Sequence, residues 1–327
     1  METAIHTAGL YLTEPIRVGE PDVAGPLAVF PLFGPEPRFE YRSFAQAVAH
    51  GVMIKELDEG ASVRDLVVVN PSSLPVLLFE GEEVLGAQQN RTFDVSVLVA
   101  AGTTLRVPVS CVEAHRWDTS RHNETFAPAP QTAYPTLRRL KNEAALRQVT
   151  VGAEARADQG AVWQEVDQKL NALAAAAPSR AMHDGYAARR RELGELAGSC
   201  VIKPGQTGML VAIGGELRVI DHASRPDVFA ALFEPLVQGY ALDALGVGDA
   251  MPPSTDAARA FVERVANEPI VERDSVGMGR DIRLAGAEIT GAGLVCAGEL
   301  IQLSVFKRDH APAAARARIR RPSRRSR

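Results

Sequence analysis

The sequence predicts an α+β fold: an antiparallel jelly-roll- or sandwich-like N-terminal half, a helical middle and a mixed α/β C-terminal part. Three observations carry this. Short apolar runs separated by turn signals fill residues 1–118. Helical spacing takes over between 136 and 198. From 207 onward a Gly-Gly hairpin, two further helical stretches and closing apolar runs alternate.

The predicted strands are LAVFPLF (27–33), VMIKEL (52–57), DLVVVN (65–70), PVLLFEGE (75–82), NRTFDVSVLVA (90–100) and TLRVPVSCVE (104–113). Asn70-Pro71-Ser72-Ser73, Gly86 and Ala101-Gly102-Thr103 punctuate them. SFAQAVAHG interrupts the series as a short helix, with Ser43 as N-cap and Gly51 as C-cap. Residues 119–134 are polar and contain proline, which predicts a loop. Helices follow at 136–149, 155–176 and 179–198; in the second, Trp163, Val166, Leu170 and Leu173 make one apolar packing stripe. TGMLVAIGGELRVID (207–221) predicts a hairpin turning at Gly214-Gly215. Helices are predicted over 228–245 and 254–268, the latter capped by Ser254, and strands over 281–306. The chain thus divides into 1–118, which carries the motifs, 119–198, 199–308 and a tail at 309–327. The third segment is a candidate to form one unit with the first through its closing strands.

The 327 residues suffice for a sizeable core, and the 46% apolar, 23% charged composition is that of a globular protein. No apolar run reaches the ~18 residues of a membrane helix, and the N-terminus shows no signal-peptide pattern. Three widely spaced cysteines, Cys111, Cys200 and Cys296, suggest no disulfide framework and fit a reducing compartment, with the cytoplasm as the expected location. Seven arginines and no acid in 311–327 leave about −11 on residues 1–310. A solvated, disordered tail is the expected reading; nucleic acid could dock only there, and the tail has no aromatic residue to stack on bases.

GEEVLGAQQNR (81–91) puts two carboxylates, three amides and an arginine between apolar strand segments. Within each strand, alternation groups Gln89, Arg91 and Phe93 on one face, Cys111, Glu113 and His115 on one face, and Glu83 on the side of Leu77 and Phe79, so that three strands each end an apolar face in polar groups. Charges on buried sheet faces need partners. One polar rim is therefore expected, with Arg91 forking onto Glu83 or Glu113. Such a rim suits a binding mouth; a purely structural polar network is the alternative. Cys111 has His115 and Arg116 nearby, as a nucleophile would need, yet a small buried hydrophobe is the commoner role. Cys111, Glu113, His115 and His122 could also ligate a metal in a jelly-roll enzyme. No second His/Cys cluster supports that, and no metal site or cofactor is assigned. His183, His222 and His310 are expected at the surface.

GEEVLGAQQNR, together with VSCVEAHRW (109–117), resembles the ARG and rhodanese-phosphatase-associated protein domain family. Glu80 to Arg91 match its Glu-rich, Gln-Asn-Arg motif, and Cys111, Val112, Glu113, Arg116 and Trp117 its Cys-Val-Glu-x-x-Arg-Trp motif. The resemblance runs from residue 20 to about 308. Position 115 is open in the motif, which weakens the metal reading. The family is associated with ADP-ribosylglycohydrolase and rhodanese-like phosphatase domains. The resemblance therefore implies a domain that binds or processes an ADP-ribose-like or other phosphorylated nucleotide. Gln89, Asn90, Arg91, Arg116 and Trp117 would then bind the ligand; Glu83, Cys111 and Glu113 are the candidates for chemistry, with Glu83 or Glu113 as general base. The alternative is a non-catalytic assembly partner of enzymes of ADP-ribose metabolism.

Overall fold

The computed structural model describes residues 7–11 and 14–308; the Arg-rich segment and His310 lie outside them. Helices and antiparallel sheets, including a curled half-barrel, give the α+β class expected. Strand Leu27–Phe33 sits inside a nine-stranded sheet with Gly208–Ile213, Glu216–Ala223, Glu299–Lys307, Ile289–Cys296, Arg280–Leu284 and Ile270–Asp274. Its alternation explains why: Leu27 and Val29 face one core, while Ala28, Phe30 and Leu32 face another. Helix Pro226–Ala244 covers the first face with Phe229, Leu232, Leu236 and Tyr240; helix Thr255–Ala266 covers the second with Phe261, Val262 and Val265. Gly214 and Gly215, at φ +60° and +79°, make the predicted hairpin turn.

The remaining strands form a six-stranded sheet, in the order Ala127–Thr132, Glu82–Leu85, Arg91–Phe93, Thr103–Cys111, Asp65–Asn70, Met53–Lys55, and a small three-stranded one. Helix Pro135–Thr150 joins the six-stranded and nine-stranded sheets. Its Arg138, fully buried, donates to Glu80 Oε1 (2.6 Å), Asp221 Oδ1 (2.6 Å) and Ser304 Oγ (3.0 Å), between the rings of Phe79 and Phe306. Its Lys141 donates to the Phe93 carbonyl (2.7 Å) and lies 3.4 Å from Asp94.

Several expectations shift. Ser43 caps helix Phe44–Val48 through a full capping box, but the C-cap is Ala49, not Gly51. The 179–198 stretch splits into Met182–Ala188 and Arg190–Ala197. Trp163 is 36% exposed; the stripe that helix Gln159–Ala172 buries is Val162, Val166 and Leu170. The expected loop at 119–134 contains a strand, Ala127–Thr132. His222 is buried, not at the surface. Among the described residues no helix is long and apolar enough to cross a membrane.

Candidate ligand-binding site

Strand register decides which motif side chains meet. Arg91 pairs with Cys111 on one side and Val84 on the other, so these three share a face. Glu83 pairs with Thr92 and therefore lies on the opposite face. The expected fork from Arg91 to Glu83 does not form, because the turn through residues 86–90 sets the register with Thr92 facing Glu83. The carboxylate nearest Arg91 is Glu56, at 3.8 Å from Nη2. Glu56, on the segment after strand Met53–Lys55, carried no signal in the sequence.

The other motif residues do converge. Gln89 Oε1 accepts from Arg91 Nη1 and from the Cys111 thiol, each at 3.0 Å, and Gln89 Nε2 donates to the Glu113 carbonyl at 2.8 Å. The Glu113 carboxylate accepts from the Asn90 backbone N–H (3.1 Å) and is paired with Arg116 Nη2 (2.6 Å). Arg116 also donates to Asn90 Oδ1 (2.9 Å) and the Ala87 carbonyl (2.8 Å). Gln89 and Asn90 thus tie the strands and the following loop together through Glu113, Cys111 and Arg116. Arg91 lies under the Trp117 ring, 5.7 Å from its centroid.

Electrostatics separate these groups. Burial resists ionisation of Glu113, but the hydrogen bonds from Arg116, Ser179 and Asn90 outweigh it and hold the carboxyl below its usual range. Burial pushes the Cys111 thiol up despite the pull of Arg91, so it sits here as a hydrogen-bond donor. Burial likewise raises Glu56, against Arg91. Both oxygens of Glu56, Arg91 Nε and Nη2, and Gln88 Oε1 are buried without a hydrogen-bond partner. His115 is exposed, and His122 Nδ1 meets Gln88 Nε2 at 3.0 Å. Among the described residues no three His, Cys, Asp or Glu side chains converge as a metal would require.

Of the predicted ligand-binding residues, Gln89, Asn90 and Arg91 are buried, whereas Arg116 is half-buried and Trp117 is 43% exposed. The first three form the layer that holds the last two in place.

The sequence profile of the ARPP-1 domain, the ARG and Rhodanese-Phosphatase-superfamily-associated Protein domain, matches residues 15–306. The chain belongs to this family. The ARPP-1 match spans the nine-stranded sheet and the six-stranded sheet alike, so both belong to the domain. No curated protein and no solved structure matches the chain.

Proposed function

We propose that this ARPP-1 domain binds an ADP-ribose-like or other phosphorylated nucleotide on residues 113–122, with Trp117 stacking on the base and Arg116 meeting a phosphate oxygen. The observation that supports it best is an exposed indole lying over the buried Arg91 guanidinium, next in sequence to the half-buried Arg116. Glu113, ionised and paired, fixes Arg116. Isothermal titration calorimetry with ADP-ribose, NAD and nucleotides tests the reading. Trp117→Ala should remove about 1–3 kcal/mol of binding, the usual worth of a base–aromatic stack, while leaving the melting temperature unchanged. Absence of heat for every ligand at millimolar concentration would refute it.

A second reading is supported by the saturated bonds of Gln89, Asn90 and Glu113. There the motif only locks strand register, and the surface contacts partner enzymes of ADP-ribose metabolism, in keeping with the association in the family's description. It expects Arg91→Ala to lower stability with no ligand response in either protein. Both readings suit the cytoplasm, where three free buried cysteines stay reduced.

A further inference from the structure

Glu83, excluded from the rim by register, has its own surroundings. Its side chain is buried, with Oε1 unpartnered and Oε2 accepting from Gln131 Nε2 at 2.5 Å. Gln131 reaches it because strand Ala127–Thr132 shifts register between Pro128 and Thr132, an irregularity of the kind that re-aims side chains. The same Nε2 lies 2.8 Å from His183 Nδ1. An amide nitrogen only donates, so Nδ1 must accept and the ring carries its proton on Nε2.

Both amide protons of Gln131 are thereby committed, and Oε1 is its free polar atom. Gln131 and His183 line a cavity of about 360 Å³ together with Tyr186, Arg190, Glu234 and Gln238. Arg190 and Glu234 are both exposed, and neither forms an ion pair or side-chain hydrogen bond among the described residues. The wall therefore offers a cation, an imidazole N–H, amide groups and a carboxylate, none neutralised by another. Set among the apolar Pro130, Ala187 and Leu193, these few polar groups suit a small molecule with an anionic end for Arg190 and hydroxyls for Glu234, Gln131 and His183.

We propose that Glu83, Gln131 and His183, with Arg190 and Glu234, form a second binding site that takes a small hydroxylated anion. Glu83 is a positioning residue: it fixes the Gln131 amide, which sets the His183 tautomer. The site shares no residue with the Trp117 surface and stands or falls independently of the nucleotide reading.

Titration of the full chain with D-ribose 5-phosphate, followed by NMR of the His183 ring, provides the test, with ribose and inorganic phosphate as separate arms. The ring signals should shift with ribose 5-phosphate, and ribose alone or phosphate alone should bind more weakly. Arg190→Ala, at an exposed position, should weaken binding about tenfold, the effect of a lost 1.4 kcal/mol. Before any ligand, the ring nitrogen shifts should report the Nε2–H form, and Glu83→Leu should shift the tautomer balance while Glu83→Gln keeps it. No ring shift at millimolar ligand, equal affinity for phosphate alone, or no effect of Arg190→Ala would each overturn the proposal.

Discussion

Arg91 has no exposed surface, and two of its three nitrogens find no hydrogen-bond partner beside a carboxylate equally unsatisfied. Removing one member of a buried ion pair strands the other charge, at a cost of about 3–5 kcal/mol. Arg91→Ala should therefore show a large fall in the urea unfolding midpoint, whereas Trp117→Ala, at an exposed ring, should stay within about 0.5 kcal/mol of the parent. Equal effects of the two would contradict the layering described for the rim. The meeting of Arg91 with Gln89 and Cys111 was legible in the sequence, since alternation assigns each a face. The place of Glu83 was not, because a one-residue change of register reverses a strand's faces and the turn at 86–90 fixes it. Glu56 and His183 lie in segments already rich in charge, so neither stands out locally, and only tertiary pairing brings them to Arg91 and Gln131.

Helix Pro135–Thr150 shows what period alone conveys. Its residues predict a helix, but not that Arg138 and Lys141 would be among its most buried side chains. Their partners Glu80, Asp94 and Asp221 lie far apart in the chain, so the ion network has no local signature. Gly81 belongs to the same junction: at φ +84° a Cβ there would sit 2.7 Å from Arg138 Cδ. Gly81→Ala adds the cost of a left-handed backbone, about 1–3 kcal/mol, to displacement of the guanidinium. Circular dichroism melts should show a drop of several degrees or more, and an unchanged melt would mean that Arg138 has room to move. Strand Ala127–Thr132 escaped prediction because Pro128 and Pro130 read as loop; it lies at the sheet edge and its register shifts between Pro128 and Thr132, the two settings in which a strand tolerates proline.

Across the molecule, buried titratable groups shape stability against pH. Burial lowers His222 to about 4 from 6.5, so the unfolded chain binds the extra proton between those values and stability falls as pH drops from 6.5 towards 4. Burial raises Glu82 to about 7 and Glu83 to about 8 from 4.5. There the native state holds the extra proton, and stability falls as pH rises from 4.5 through 7 and 8. Thermal melts should then show Glu83→Gln gaining stability relative to the parent at pH 8 and not at pH 4; a gain that is the same at both would refute the assignment. The sequence foretold the order of strand and helix regions but could not specify the sheet partners of Leu27–Phe33. That strand is completed by Gly208–Ile213, which leaves the ribosome long after it. The other edge of Leu27–Phe33 pairs with the earlier strands Arg17–Val18 and Asp22–Ala24, but at roughly 5–20 residues per second the nascent chain carries a strongly apolar strand with one edge open for about ten to forty seconds. Synthesis therefore passes through a window of chaperone dependence, and any early stop before residue 208 strands a sticky fragment.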